Sequence, residues 1–380
     1  MNKGVVRESN FELMRIALMF MVVFWHMYIN IVATQNINAV SKIIWNILHY
    51  MLIIHINSFV LLTGYFQSRK EKVGISKILK LNGYAYFYKI LFLVIFLGFN
   101  IKTLTTLEIV QIVQPITLYS QYWFISIYIL LYLVSPYLNR LLNQFTKTQF
   151  RKFLVLLFII SSIIPTITHE YAYGVNNGFS LINFILMYSI GAYLNRFPIK
   201  ESYLFSRLTS NARKLLFISS FLFLAFVNVL IYYFSFTLKE TNYSILGEIA
   251  SIIRHNRISY SNPITIIEAV FFFCYFSEIK IKSKIINSVS RVSLDIYLVH
   301  DNELLRSLYS GINKYLRPRI FGIRHIAYMM IVAIIIVIIS IIIGYIRKGL
   351  FKLVGSLPFI KKFKQRSKEK VDSLGFNIVW

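Results

Sequence analysis

The chain has 380 residues, of which 57% are hydrophobic, and 41 Lys and Arg against 15 Asp and Glu give it a formal net charge of +26. Long apolar runs recur along its whole length, which excludes an ordinary soluble domain and indicates a polytopic membrane protein. The basic residues lie between the apolar runs, where they orient helices against anionic lipid, so the charge does not indicate nucleic-acid binding.

The first apolar run, from Ser9 to Asn30, contains Arg15 and His26 inside the membrane crossing. Ser9 and Glu12 have the spacing of a capping box, which predicts that a helix begins at Ser9. Eleven positions at about 100° each return to within roughly 20° of the starting direction. Arg15 and His26 therefore share one helix face and lie about 16 Å apart along the axis.

Each of these two residues also has a purely structural interpretation. Arg15 can extend to the lipid headgroups or pair with Glu12, and His26 can be a neutral histidine that bonds to a neighbouring helix. Together they fit an anionic acyl carrier such as an acyl-CoA. Arginine binds phosphate groups, and histidine can take a proton from a hydroxyl group that attacks a thioester.

Nine further helices are predicted by apolar runs that are bounded by polar segments. They lie at about 44–66, 81–99, 119–137, 152–167, 180–195, 215–236, 264–277, 292–309 and 326–346. Pro136 is expected at the exit of the fourth helix, and residues 237–262 are expected to form an external loop. The fifth, sixth and eighth helices are short for a full crossing of about 20 residues, which allows tilted or re-entrant segments.

Basic residues concentrate at alternate ends of these helices, which predicts about ten helices with both termini in the cytoplasm. The loop after the ninth helix breaks this bias with Arg306, Lys314, Arg317, Arg319 and Arg324. Either this loop needs positive charge for its function, or the ninth helix is only half inserted. Residues 1–346 are thus predicted to form an all-α transmembrane bundle, and residues 347–380 a basic cytoplasmic tail at the membrane surface.

Several other polar or aromatic residues are weaker candidates for lining a substrate cavity. Besides Glu12, these include His55 and Asn57 in the second helix, which either line the same cavity as His26 or bond between helices. Trp123 can stack on a sugar ring, or it belongs to the aromatic belt that any membrane protein carries.

The ninth helix carries three more ionisable residues. Asp295, His300 and Asp301 can orient a base or shuttle a proton, although the last two can also lie at the outer interface. The sequence contains no P-loop, nucleophile elbow or metal-ligand spacing. Its single cysteine, Cys274, lies in an apolar run, so no metal is expected.

Four segments resemble the integral membrane acyltransferase-3 family. The first is FELMRIALMFMVVFWH, where ten residues separate Arg15 from His26 as in the signature of that family. The others are NSFVLLTGYF at 57–66, YWFISIYILLYLVSPYLN at 122–139 and SLDIYLVH at 293–300. These segments occur in order and span most of the chain.

The resemblance implies an enzyme of the bacterial plasma membrane with ten helices. Such an enzyme transfers an acetyl group from cytoplasmic acetyl-CoA to a hydroxyl group of a cell-surface glycan or its lipid-linked precursor. His26 then corresponds to the catalytic histidine and Arg15 to the cofactor-binding arginine. Where many members carry paired arginines after the second helix, this chain offers Lys77 and Lys80, which supply charge to CoA phosphates without the bidentate fork.

The most specific reading is a polysaccharide O-acetyltransferase that acts on a capsular polysaccharide or exopolysaccharide, alone or with separate polysaccharide-assembly proteins. An alternative keeps the family but changes the acyl group, for example to succinyl, or the acceptor, to peptidoglycan or a lipid sugar. The rival from another class is a transporter or flippase for lipid-linked sugars. Transporters often contain two related halves, and no such internal similarity is found here.

Overall fold

The computed structural model of the protein describes residues 8–32, 39–70, 74–101, 103–106, 109–110, 122–168, 175–239, 244–255, 259–306 and 323–359. Every regular element within these ranges is a helix, which confirms the predicted all-α class. In chain order the main helices are α1 (Ser9–Val32), α2 (Ala39–Leu52), α3 (His55–Gln67), α4 (Ile75–Gly98), α5 (Trp123–Gln144), α6 (Lys147–Thr168), α7 (Leu181–Arg196), α8 (Ser210–Lys239), α9 (Ser244–His255), α10 (Pro263–Ser277), α11 (Lys284–Val289), α12 (Ser293–His300) and α13 (Ile323–Ser356).

Seven helical segments in the described part of the chain are long and apolar enough to cross a membrane. They are α1, α2 and α3 taken together, α4, α5, α6, α8 and α13, and the apolar helix α10 is shorter. Each of the ten predicted positions contains a helix, with α7 and α12 at the sixth and ninth. The protein is therefore a multi-pass helical membrane protein.

The second predicted helix is interrupted at Ile53 and Ile54, between α2 and α3. At this interruption the Nδ1 atom of His55 lies 2.7 Å from the carbonyl oxygen of Leu52. His55 thus donates a hydrogen bond to one of the carbonyl groups that the end of α2 leaves without a helical partner.

The expectation that Pro136 marks a helix exit is wrong, because α5 continues to Gln144. Proline cannot donate a hydrogen bond to the carbonyl group four residues earlier, which here belongs to Tyr132. The Ser135 hydroxyl donates to that carbonyl oxygen instead, at 2.8 Å. The helix therefore continues across the proline.

The region 237–262, which the sequence analysis assigned to an external loop, contains helix α9. Its apolar residues recur with helical spacing at Ile245, Ile249 and Ile252. Helix α9 contacts α8, although Ile245 and Ile249 remain exposed. Residues 240–243 and 256–258 of the predicted loop lie outside the described residues.

The last two predicted helices also have different ends. The ninth, expected at 292–309, stops at His300, and Asn302 caps a new turn by accepting a hydrogen bond from the Leu304 amide at 3.1 Å. The tenth continues past residue 346 to Ser356, and Arg347 is buried. Two parts of these predictions lie outside the described residues. They are the basic residues Lys314, Arg317 and Arg319 of the last loop, and residues 360–380 of the predicted tail.

Helix α1 lies at the centre of the bundle. It contacts α2, α3, α10, α11, α12 and α13, which come from both ends of the chain. The outward faces of peripheral helices carry exposed apolar side chains such as Val94, Phe223 and Ile331, as lipid contact requires. This arrangement places the polar residues of α1 inside protein rather than in lipid.

Helices α3 and α7 pack backbone to backbone through two glycines. A Cβ atom built on Gly64 would lie 2.0 Å from the carbonyl oxygen of Tyr188, and one built on Gly191 would lie 2.0 Å from that of Leu61. Small residues of this kind allow membrane helices to approach closely. The pair α3 and α7 thus forms a tight unit next to α1.

Candidate active site

Two histidines from opposite ends of the chain meet beside α1. The Nδ1 atom of His26 lies 2.9 Å from the Nε2 atom of His300, the last residue of α12. His300 is fully enclosed, whereas the side chain of His26 is 25% exposed. His26 is therefore the member of the pair that a substrate can reach.

The acceptors around this pair determine which ring nitrogens carry protons. The Nδ1 atom of His300 lies 2.7 Å from the carbonyl oxygen of Ile296, which can only accept, so this nitrogen carries a hydrogen. In a neutral ring Nε2 of His300 is then an acceptor, and Nδ1 of His26 must donate to it. The lone pair of a neutral His26 consequently lies on Nε2.

A buried carboxylate completes the cluster. Oδ1 of Asp301 lies 3.5 Å from Nδ1 of His26 and accepts a hydrogen bond from Nε of Arg306 at 2.9 Å. The ligand atoms of His26, His300 and Asp301 lie within 4.8 Å of one another, as a cation site would require. However, the bond between the two rings and the Arg306 guanidinium already engage these atoms, which fits a hydrogen-bonded relay better than a cation site.

His55, a predicted cavity residue, belongs to the aromatic surroundings of His26. The ring of Trp25 lies 5.6 Å from that of His26 and 5.3 Å from that of His55. The Tyr260 hydroxyl lies 3.4 Å from Nε2 of His55. Burial, followed by the charge of Asp301, raises the pKa of Tyr260, so its hydroxyl group stays protonated and donates.

Trp123, the predicted sugar-stacking residue, lies farther along the same set of rings. Its ring is partly exposed and lies 4.5 Å from that of Phe179 and 6.0 Å from that of Tyr260, with which it is stacked. The Tyr260 ring lies in turn 6.2 Å from that of Trp25. A continuous row of aromatic rings thus leads from Trp123 to the neighbour of His26.

Asn57, by contrast, serves the packing between helices. Its side-chain amide donates to the carbonyl oxygen of Tyr260 at 2.7 Å and accepts from Asn183 at 3.1 Å. Asn57 is fully buried. Through its hydrogen bond to the Tyr260 backbone, Asn57 fixes the position of that aromatic residue.

Glu12 and Arg15 lie together on α1, about 0.8 and 1.7 turns after its first residue, Ser9. Nη1 of Arg15 donates to Oε1 of Glu12 at 2.9 Å, and the guanidinium carbon lies 5.7 Å from the centre of the Phe66 ring. Glu12 also accepts a hydrogen bond from the Ser290 hydroxyl. The Arg15 side chain keeps 31% exposure, so it can still reach a ligand.

Lys77 and Lys80, the two lysines predicted to contact CoA phosphates, contact tyrosine rings. Nζ of Lys77 lies 3.2 Å from the Tyr128 hydroxyl and 4.2 Å from the centre of the Tyr132 ring. Lys80 lies 5.6 Å from the centre of the Tyr84 ring. Because Gln67 also bonds to Tyr128, at 3.2 Å, Lys77 lies near the same end of α3 that Arg15 contacts.

Asp295 lies five residues before His300 on α12 and belongs to a separate buried cluster. Its carboxylate accepts hydrogen bonds from Nη2 of Arg347 at 3.1 Å and from the Tyr88 hydroxyl at 2.6 Å. The guanidinium of Arg347 lies 3.7 Å from the centre of the Tyr84 ring. This cluster connects α12 to α4 and α13 and holds the helix that carries His300.

The structure therefore joins His26 with His300 and Asp301, and Arg15 with Glu12, but it keeps Asn57 and Asp295 in their own packing contacts. Sequence reasoning did not find the roles of Ser290 and Arg306. Arg306 had one signal, since it broke the charge bias of its loop, while Ser290 had none.

Comparison with families of known proteins gives a match over most of the chain. The family model described as an acyltransferase domain, that of the acyltransferase-3 family, matches residues 8–345. No curated protein and no solved structure matches the chain.

Proposed function

Because the chain belongs to the acyltransferase-3 family, we propose that it is an O-acetyltransferase of the bacterial plasma membrane. It takes the acetyl group from cytoplasmic acetyl-CoA and transfers it to a hydroxyl group of a cell-surface polysaccharide, of the capsular or exopolysaccharide type. Family membership favours acyl transfer over the transporter interpretation. The acyl group and the acceptor are part of the proposal.

The hydrogen bond from Nδ1 of His26 to Nε2 of His300 is the observation that carries this proposal. It leaves the basic lone pair of His26 on Nε2, on a side chain that is partly exposed. When Nε2 takes a proton, the imidazolium charge is stabilised by Asp301, whose Oδ1 lies 3.5 Å from Nδ1. His26 is thus equipped to act as a general base.

In the proposed reaction the acceptor hydroxyl attacks the thioester carbonyl while its proton passes to Nε2 of His26. The new carbon–oxygen bond forms and the carbon–sulfur bond breaks. The proton on His26 then goes to the departing thiolate, so the products are the acetyl ester and free CoA thiol. His26 returns to its neutral form, and its bond to His300 holds the ring in place throughout.

The donor end of the site is formed by Arg15, with Lys77 and Lys80 as weaker contributors. The Arg15 guanidinium is partly exposed and is held against Phe66 and Glu12, so it can present its remaining donors to a phosphate group. Eleven residues of helix place it about 16 Å from His26. A thin carrier arm that begins at Arg15 would bring its thioester toward His26.

The acceptor end is formed by the aromatic row from Trp123 to Trp25. Aromatic rings bind the apolar faces of sugars, and Trp123 and Phe179 are partly exposed. The indole N–H of Trp25 is buried and has no hydrogen-bond partner among the described residues, and the Trp25 ring lies beside that of His26. It can donate to an oxygen atom of the acceptor or of the thioester, which would satisfy both groups.

The test uses purified full-length protein, acetyl-CoA and polysaccharide from a strain that lacks the gene. His26→Ala is expected to lower the rate of CoA thiol release by about 100-fold or more, the range of a lost general base. His325→Ala is the control, because this buried histidine contacts Trp45 rather than His300. Mass analysis of the glycan identifies the acyl group, since succinyl and acetyl add different masses.

A His26→Ala protein that acetylates the glycan at the normal rate would contradict the base assignment. A mass increase other than that of acetyl would show that the proposed acyl donor is wrong. Acylation of peptidoglycan or a lipid sugar in place of the polysaccharide would show that the proposed acceptor is wrong.

A further inference from the structure

The segment from Ser290 to Asp301 contacts α1 at both of its functional ends. At one end His300 and Asp301 flank His26, as described above. At the other end the Ser290 hydroxyl donates to Oε2 of Glu12, while Oε1 of the same carboxylate accepts from Arg15. The short helix α12 lies between these two contacts.

We propose that Ser290 is a positioning residue for Arg15 and that it acts through Glu12. This inference rests on the proposed function of Arg15 in binding the acyl donor. Ser290 does not touch Arg15 itself. It holds the Glu12 carboxylate in the rotamer in which Oε1 faces the Arg15 guanidinium.

Burial makes this contact specific. Ser290 and Glu12 are both 5% exposed, so water does not compete strongly for the carboxylate. A carboxylate with one oxygen bound by Ser290 and the other by Arg15 cannot rotate without losing both hydrogen bonds. The arginine is therefore held in one direction, against Phe66, before a phosphate group arrives.

Preorganisation of this kind affects binding of the donor more than the chemical step. An arginine side chain loses rotamer freedom when it binds a ligand, and a neighbouring carboxylate that already orders it reduces that cost. Removing the Ser290 hydroxyl leaves both charges in place. Any loss of donor binding in that variant thus reports the position of Arg15 and not its charge.

The experiment measures binding of CoA to purified full-length protein by calorimetry, with kinetics of acetyl-CoA consumption in parallel. Ser290→Ala is expected to weaken CoA binding roughly 3- to 10-fold, less than the loss of a direct charge-assisted hydrogen bond, because Arg15 itself remains. The KM for acetyl-CoA should rise by the same factor, while kcat changes less than about twofold because the His26 cluster is untouched. Ser290→Thr retains a hydroxyl group and should restore binding.

Ser288→Ala is the matched control. Ser288 lies two residues away and bonds to Tyr345 rather than to Glu12, so its variant should bind CoA like the wild type. Equal melting temperatures for the two alanine variants would exclude a general loss of stability as the cause.

If the wild-type protein binds CoA and Ser290→Ala binds it equally well, the positioning role of Ser290 is wrong. The donor assignment of Arg15 would not be affected by that result. A loss in kcat without a change in KM would overturn the positioning role as well. A wild-type protein that does not bind CoA would instead overturn the donor assignment of the proposed function, and this inference with it.

Discussion

His300 determines which nitrogen of His26 is basic, although it lies 274 residues away in the chain. The common face of Arg15 and His26 could be predicted, because the geometry of one helix relates them. The pairing of Arg15 with Glu12 could be predicted for the same reason. The contacts of Ser290 and His300 with α1 could not, since no local pattern relates these residues to α1. His300 and Asp301 were predicted to orient a base, shuttle a proton or lie at the outer interface, and the sequence did not decide between these roles.

Replacing His300 with alanine is expected to lower kcat by about 10- to 100-fold, the usual effect of losing a residue that orients a functional histidine. The His26 ring loses the acceptor that fixes its tautomer, while Arg15 is unaffected, so the KM for acetyl-CoA should stay unchanged. Initial rates of CoA thiol release measure both constants. His300→Gln, which can still accept a hydrogen bond, should keep part of the activity; an unchanged kcat in His300→Ala would refute this role.

Among the helices, the strongly apolar ones could be located from composition, but their ends depend on single side chains. The break between α2 and α3 coincides with the bond from His55 to Leu52, and the passage of α5 through Pro136 coincides with the bond from Ser135. The end of α12 was missed as well, because the apolar residues Leu304 and Leu305 follow the polar run from His300 to Glu303. Hydropathy reports burial and not these backbone hydrogen bonds.

The close packing of α3 against α7 can be tested by enlarging one of the two glycines at their contact. Gly64→Ala is expected to destabilise the protein by about 3 kcal/mol, the upper range of overpacking costs, because its Cβ atom would overlap the backbone of Tyr188. Thermal unfolding monitored by size-exclusion chromatography in detergent measures the change.

Gly83→Ala on α4 is the control for that measurement. In the described part of the chain no atom outside the local helix backbone lies within 4 Å of a Cβ atom at this position, so the variant should melt at or slightly above the wild-type temperature. Equal melting temperatures for Gly64→Ala and Gly83→Ala would show that α3 and α7 do not approach as closely as described.

At the scale of the whole molecule, the alternation of basic residues predicted about ten helices with cytoplasmic termini. Arg306, which opposed this pattern, pairs with Asp301, and Arg347, which supported it, is buried against Asp295. A count of basic residues cannot separate such paired arginines from those that face lipid headgroups.

The orientation can be tested with fusions to full-length protein. Green fluorescent protein at the C-terminus is expected to fluoresce, and alkaline phosphatase at the same place should be inactive, because both report a cytoplasmic end. Phosphatase inserted between α1 and α2 should be active. The opposite pattern at the C-terminus would require an odd number of crossings or an inverted molecule.

The central position of α1 has a consequence for biosynthesis. This helix is translated first, yet the residues that complete its two ends are translated last, roughly 15–55 s later at ordinary rates of elongation. Only the pairing of Glu12 with Arg15 is available within the nascent helix, and it offsets the insertion cost of a lone cation. The nascent chain therefore cannot assemble the cluster of His26, His300 and Asp301 until residue 301 has been synthesised. Under the proposed function, we expect an interrupted translation product to be inactive toward cellular thioesters.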